Sequence, residues 1–417
     1  MPGDILVFMT GQETIQSLQQ LVEEYALNLS AEFPGISVLP LFAALPQAAQ
    51  QRIFQPPPPN TRKVILSTNI AETSVTVPGV RFVIDTGKAK VKQFRNRLGL
   101  DSLLVKQISK SSADQRRGRA GREAPGQCFR LYTQIAYNAL DNDTTPEILR
   151  CDLSAAILTM KARGASDVLT FPFLTPPPTE AMEKALLHLL QLGALEEHGS
   201  ISALGRQIAR LPLTPSLGRV IVEAARPEMD CLLEVIDIVA CLDVENIFLT
   251  AQTEDVREKA AAAREQLLRR QGDHLTYLAA IQTYAAENSD RRRWADDHLI
   301  SHRAMQNVMD VRKQLRAQCK HAKLLRDDAK ASSAPDESTQ ERILKCFLRG
   351  FGGNVARLCP DGSYKTFVGN QTVAIHPSSV LFGKKVEAIM YDKFVYTTKA
   401  YARDVSVVQL RWLDEML

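Results

Sequence analysis

The sequence predicts a multidomain α/β plus α protein: a lobe built on a parallel sheet, a long helical region, and a closing β-barrel. Three observations predict it. Short apolar runs alternate with helical patterns over the first part of the chain, and this βαβ logic calls for a parallel sheet covered by helices. From about Tyr137 the pattern turns helical. After about Leu325 a polar stretch gives way to strand alternation broken by turns.

Taken in order, "DILVFM" is a short strand, and from Glu13 onward Ile15, Leu18, Leu21, Val22 and Tyr25 recur at helical spacing. "ISVLPL" is a second strand, "PQAAQQRIF" a short helix opened by Pro46, and "KVILS" and "RFVID" are further strands. Ligands of such sheets sit at the carboxyl ends of the strands. There "TG" follows the first strand and "TN" follows "KVILS", small polar residues where a phosphate would be held. In "KAKVKQFRNRLGLDSLLVK", Lys88, Lys90 and Lys92 alternate along one strand face and "NRLG" is a turn, which predicts a basic hairpin. Further on, Thr179 caps a helix with Met182, Ala185, Leu186, Leu189 and Leu190 on one face. Gly193 stops it, and "LEEHGSISAL" reads as a short hairpin, the pattern of a winged-helix module. Leu213 to Leu325 reads as almost wholly helical, including the Ala-rich "EDVREKAAAAREQLLRR" and an amphipathic helix after Asp273. "RDDAKASSAPDESTQ" reads as a linker, and "GSYKTFVGNQTVAIHPSSVLF" and "KVEAIMYDKFVYTTK" as strands of a small barrel.

A chain of 417 residues is long enough for about two to four domains. Its 45% hydrophobic and 24% charged residues are ordinary for a globular protein, and no apolar run approaches a membrane span. The start lacks the basic and apolar regions of a signal peptide. Seven cysteines without a C-x-x-C pair suggest neither a disulfide framework nor a zinc site and fit a reducing compartment. The net charge of +4 is uneven: Arg81 to Arg122 holds twelve Lys/Arg against three Asp, so that segment carries +9 and the rest −5. Such asymmetry suits a polyanion, or else a solvated face.

The densest charge lies in "SADQRRGRAGRE", where Gln115 to Arg122 contains four arginines and two glycines. Gly118 and Gly121 allow close backbone approach and the guanidiniums make forked contacts, a combination suited to a phosphoryl group. A solvated basic loop or a nuclear-localisation patch is the plainer alternative.

"QRRGRAGR" resembles motif VI, "STNIAETSVTVPGVRFVIDTG" motif V and "ILVFMTGQETI" motif IV of the DEAH-box RNA helicases of superfamily 2, in the same order and spacing. The similarity continues through "CFRLYT", the winged-helix region, "GDHLTYL" and "HPSSVLF". It implies a second RecA-like lobe over 1–134, a winged helix over 135–212, a helical ratchet domain over 213–325, a linker over 326–341 and an OB-fold over 342–417. By the same resemblance Arg119 and Arg122 are arginine fingers on the γ-phosphate of ATP, and Gln115 helps place the attacking water. Thr68 and Asn69 would hold RNA backbone phosphates, with further contacts around Thr10 and Gly11. Ser74 and Thr76 would face the nucleotide. Phe54 matches the aromatic that stacks on adenine, or is a core phenylalanine. The hairpin with Lys88, Lys90, Lys92, Arg95 and Arg97 would lie where RNA strands part, or is simply solvated.

Two further regions stay open. Glu287 to Arg326 carries ten Lys/Arg against five Asp/Glu, which suits the lining of an RNA channel or an exposed helix. In the barrel, Tyr364, Lys365, Phe367 and His376 combine aromatic and basic groups as single-strand binders do, though Phe367 equally suits a core. His274 and His376 have no ligand companions at metal spacing and are expected to be structural or RNA-adjacent.

A motor of this class holds ATP between two RecA-like lobes. Neither a G-x-x-x-x-G-K-[ST] loop nor a DEAH-type acidic motif occurs here, so the Mg²⁺ ligands are expected on a first lobe outside this chain. The chain starts inside the second lobe by family comparison, and in isolation it is expected not to hydrolyse ATP. Two readings follow. One is the carboxy-terminal half of an ATP-dependent RNA helicase, in rRNA processing, with a nuclear or nucleolar location and a glycine-rich activating protein as partner. The other is a non-catalytic RNA-binding adaptor that keeps the scaffold without the motor.

Overall fold

The computed structural model describes residues 3–30, 32–42, 45, 50–95, 100–244, 247–249, 254–326, 335–396 and 399–415, with backbone alone over 92–95, 100–103, 254–257 and 396. They form two compact units, one of residues 1–93 and 103–150 and one of 94–102 and 151–417.

In the first unit, β1 (Asp4–Phe8), β2 (Gly35–Leu41), β3 (Thr61–Ser67), β4 (Val80–Asp85) and β7 (Gln127–Arg130) make a sheet in the order β2-β3-β1-β4-β7. Every pairing in it is parallel; Val7 of the central strand faces Leu66 on one side and Ile84 on the other. Side chains alternate across a strand, so Leu6 and Phe8 enter a core with Leu39, Leu41, Ile65 and Val83. Val7 enters the opposite one with Ile15, Val64 and Leu66. Each such side chain stabilises the lobe by about 1.5–3 kcal/mol relative to exposure.

The helix Gln12–Leu27 forms as its spacing predicts, but only Ile15 is fully buried, while Leu21 and Tyr25 are 61% and 66% exposed. The helix packs chiefly against β2, the strand at the edge of the sheet. Pro46 lies outside the described residues, and the end of the predicted helix is the 3₁₀ turn Arg52–Phe54. The basic hairpin is β5 (Lys88–Arg95) paired with β6 (Leu100–Gln107). Lys88 and Lys90 face solvent while Ala89 between them is buried, the expected alternation.

In the second unit the helix Thr179–Gln191 starts one residue earlier than a Thr cap requires. Pro178 occupies the cap and no side chain caps the helix, because the fixed φ of the prolines already sets the entry. Gly193, at φ +70°, closes the other end as expected, its N–H bonding to the Leu190 carbonyl. The predicted hairpin is a single antiparallel bridge, Leu195 to Ile201, because Ser202 caps a helix, Ala203–Ile208, by accepting from the Gly205 N–H at 2.8 Å.

Among the described residues six helices follow: Pro215–Ala224, Leu232–Asp243, Glu254–Arg264, Asp273–Ala286, Arg291–Asp297 and His302–His321. Leu232–Asp243 is buried all round except at its last residue. Asp237 on it is satisfied by Arg312 at 2.6 and 2.8 Å and Arg316 at 3.0 Å, which draws two arginines of the basic stretch into a structural role. The predicted linker ends sooner than expected. Asp336 accepts from the Thr339 N–H and starts a helix, Glu337–Phe351, inside it.

The barrel closes as β10-β12-β11-β8-β9, from β8 (Val355–Leu358), β9 (Tyr364–Thr366), β10 (Thr372–Ile375), β11 (Ala388–Tyr396) and β12 (Ala400–Val407). Tyr364 belongs to its core rather than to a binding face, its hydroxyl donating to the Val386 carbonyl and accepting from the Val386 N–H. "GDHLTYL" docks a helix on this barrel. Asp273 accepts from the Val380 and Val405 N–H groups, His274 is held between Ser406 at 2.7 Å and Asp392 at 3.0 Å, and Tyr277 donates to Asp404. Burial pulls the His274 imidazole down, but the Asp392 charge and hydrogen bond outweigh it, so it titrates above its ordinary value. Both histidine nitrogens are thus engaged structurally.

Candidate phosphate cleft and nucleic-acid face

The arginine-rich segment splits into a helix and a turn. Ser109 caps Lys110–Gly118 by accepting from the Ser112 N–H at 3.2 Å, and Arg116 and Arg117 occupy the last turn, where cations complement the helix dipole. The four guanidiniums then go to different places. Arg117 is exposed and pairs loosely with Asp114 at 3.5 Å. Arg116 is fully buried, lies over the Phe8 ring, and donates to Glu72 at 2.9 Å and Asp85 at 2.8 Å.

Arg119 and Arg122 line one wall of a cleft of about 350 Å³ with Glu72, Thr73, Gln115 and Gly118. Arg119 donates to the backbone carbonyls of Val75 and Glu72, and Arg122 to the Thr76 hydroxyl at 2.9 Å. No carboxylate among the described residues forms an ion pair with either. Burial and the neighbouring Arg122 charge lower the Arg119 pKa, with Glu72 opposing. The cleft is therefore short of negative charge. A Cβ added at Gly118 or Gly121 would meet no atom within 4 Å, so the fold itself does not require glycine at either position.

The predicted residues separate into two groups. Gln115, Arg119 and Arg122 come together in the cleft; Thr76 joins through Arg122, and Ser74 is exposed just after the helix Ile70–Thr73. Thr68 and Asn69 follow β3, and Thr10 and Gly11 follow β1, at the carboxyl ends of adjacent strands. Lys90 lies beside Gly11: a Cβ there would stand 3.0 Å from its Nζ. Phe54 is 47% exposed, which removes the core reading, but it does not line the cleft. The side chains of Lys92 and Arg95, and all of Arg97, lie outside the described residues. In the barrel Phe367 is likewise exposed, at 48%, with the Arg357 guanidinium 5.9 Å from its ring, and His376 packs edge-on against Tyr401.

Sequence reasoning missed Arg116, Glu72, Asp85 and Lys63. Asp85 and Lys63 sit within or beside apolar strands, and a charge placed there must find a partner. That signal was legible, but the partner's identity was not. Among the described residues no group of three or more His, Cys, Asp or Glu is placed to hold a metal, and no helix is long and apolar enough to cross a membrane.

Comparison with known proteins adds four family matches. Residues 1–124 match the helicase conserved C-terminal domain, 185–213 the winged-helix and 214–277 the ratchet-like helicase associated domain (HA2), and 343–417 the oligonucleotide/oligosaccharide-binding (OB)-fold. The chain is 42% identical to the probable ATP-dependent RNA helicase DHR2 of Saccharomyces cerevisiae, over 100% of this chain and 58% of that protein. It is 41% identical to the pre-mRNA-splicing factor ATP-dependent RNA helicase prp22 of Schizosaccharomyces pombe, over 100% of this chain and 35% of the relative. It is 38% identical to the ATP-dependent RNA helicase DHX33 of Homo sapiens, over 99% and 57%. The chain thus spans between about a third and three fifths of the length of these relatives.

Proposed function

This chain belongs to the DEAH-box RNA helicases, with the domains of their carboxy-terminal half, and from that premise we propose what it does. It binds RNA through backbone contacts and supplies Arg119 and Arg122 to the hydrolysis of ATP held by a lobe outside these 417 residues. One observation carries the reading. Two guanidiniums line the cleft, neither in an ion pair among the described residues, and the lining carboxylate, Glu72, is already taken by Arg116, beside glycines that leave room for a close approach. A polyphosphate supplies the missing charge, and positioned guanidiniums stabilise the charge that builds up as the terminal phosphoryl group leaves.

In this reading Gln115, on the same wall, orients water, and the exposed Phe54 stacks on a base. Thr10, Gly11, Thr68, Asn69, Lys88 and Lys90 form the RNA-facing group. Arg119 and Arg122 of this chain would hold the phosphates of ATP; Mg²⁺, which would help neutralise their charge, is assigned to the other lobe.

The test is RNA-stimulated ATP turnover by the protein as it occurs in the cell, wild type against Arg119→Lys and Arg122→Lys. Loss of turnover with RNA binding retained supports the assignment. Turnover that survives both changes removes the fingers, and a cellular protein that binds RNA without turnover is the adaptor of the alternative reading. The finer reading of rRNA processing in the nucleolus, with a glycine-rich activating partner, is tested by crosslinking the protein to its RNA in cells. Enrichment of pre-rRNA supports it, and enrichment of pre-mRNA overturns it.

A further inference from the structure

Arg116 is the largest completely buried side chain among the described residues, and nothing in the phosphate or RNA chemistry above uses it. Its surroundings are unusual for a residue that serves stability alone. One guanidinium faces two carboxylates, Glu72 through Nε and Asp85 through Nη1, and Nη1 also donates to the Lys88 carbonyl at 3.3 Å. Nη2 is buried without a hydrogen-bond partner among the described residues. Taking these charges out of water costs several kcal/mol per ion, and well-packed apolar residues often do as well or better. What such a network does supply is fixed position.

What it fixes is informative. Glu72 takes Arg116 on its carboxylate and Arg119 on its backbone carbonyl, so one residue joins the buried clamp to the cleft wall. Asp85 takes Arg116 and the Gly87 N–H on one oxygen and the Tyr132 hydroxyl on the other, which fixes the turn into β5. Lys88, the first residue of that basic strand, is held through its own carbonyl. A continuous hydrogen-bonded path therefore runs Arg119, Glu72, Arg116, Lys88, from the phosphate cleft to the root of the basic hairpin. A displacement of the hairpin root pulls on the guanidinium that also orients Glu72.

We propose that Arg116 is a positioning residue that couples RNA engagement at Lys88 and Lys90 to the placement of Arg119 in the cleft. The proposal rests on the assignment of the hairpin to RNA, and its test separates the two.

The experiment is hydrogen exchange on this chain with and without a single-stranded RNA oligonucleotide, in wild type, Arg116→Met and Glu72→Gln. In wild type, RNA slows amide exchange both over 88–91 and over 72–76 and 119–122. In Arg116→Met the RNA still binds and still protects 88–91, but the added protection at the cleft shrinks by a factor of roughly 2 to 30. A merely structural role would lower global stability and leave the RNA-dependent change at the cleft intact, and that result overturns the proposal. Should Arg116→Met fail to fold, Glu72→Gln keeps shape and an acceptor oxygen while removing the charge. It is expected to reduce the same coupling, and unchanged coupling in it overturns the proposal as well. Wild-type protein that binds RNA with no change at the cleft also sinks it, whereas wild-type protein that leaves 88–91 unprotected by RNA removes the hairpin assignment on which it stands.

Discussion

The ammonium of Lys63 lies 3.3 Å from the carboxylate of Asp4, and both side chains are almost wholly buried. The same ammonium donates to the carbonyls of Ile53 at 3.0 Å and Gln55 at 3.1 Å, the two neighbours of Phe54. The pair thus holds the turn that sends Phe54 outward while Ile53 enters the core.

Replacing Lys63 by Met leaves Asp4 buried beside an apolar chain and releases the turn. Breaking a buried pair in this way costs about 3–5 kcal/mol. Urea unfolding of Lys63→Met measures it. A loss below about 1 kcal/mol, the range of exposed pairs, would mean that the pair does not hold the lobe.

Two glycines are expected to behave in opposite ways. Gly272 has φ +124°, and a Cβ there would stand 2.4 Å from the Val405 carbonyl oxygen, so Gly272→Ala forces the docked helix off the barrel. Strain and overpacking together cost about 2–6 kcal/mol. Gly121→Ala meets nothing and is expected to change stability by less than about 0.5 kcal/mol, so that under the proposed function any effect it has falls on ATP turnover. Thermal melts of both variants decide between packing and function at each position.

RNA affinity should fall steeply with salt if, as proposed, the contacts are to backbone phosphates. Each lysine removed from the single-strand path reduces the slope of log affinity against log salt by about 0.7. Lys88→Gln and Lys90→Gln, separately and together, are read by fluorescence anisotropy across a salt series. Slopes identical to wild type would take both lysines off the RNA path.

The His274 pair sets a pH dependence. Its folded pKa lies above the ordinary 6.5, so the pair's contribution is fully present below that value and is lost as pH rises through the folded one. Melting temperature should therefore decline as pH rises above the ordinary imidazole value of 6.5, and His274→Gln should flatten the decline. Equal slopes in the two proteins would place the titration elsewhere.

Much of this molecule was legible along the chain. The alternation of "DILVFM", "KVILS" and "RFVID" with helical spacing sufficed for a parallel sheet, because period and burial are properties of consecutive residues. The three helicase motifs, being contiguous, identified the family and marked Arg119 and Arg122 as a pair. Helix ends were less legible. Pro178 displaced a Thr cap, and Asp336 opened a helix inside a stretch whose composition reads as linker.

Side-chain partnership was decided only in three dimensions. The motif set Arg119 and Arg122 apart in "QRRGRAGR", but nothing local said where the charge of Arg116 would go. It goes inward because Glu72 and Asp85, 44 and 31 residues away along the chain, are brought beneath one helix and absorb it, leaving the last two to the cleft. Tyr364 and Phe367 likewise look alike in sequence, yet barrel closure buries one against Val386 and leaves the other in solvent. The sequence by itself determined the periods and the motifs, since these depend on neighbours in the chain. Which charge is neutralised and which stays available depends on residues far apart in sequence, and that only the tertiary structure decided.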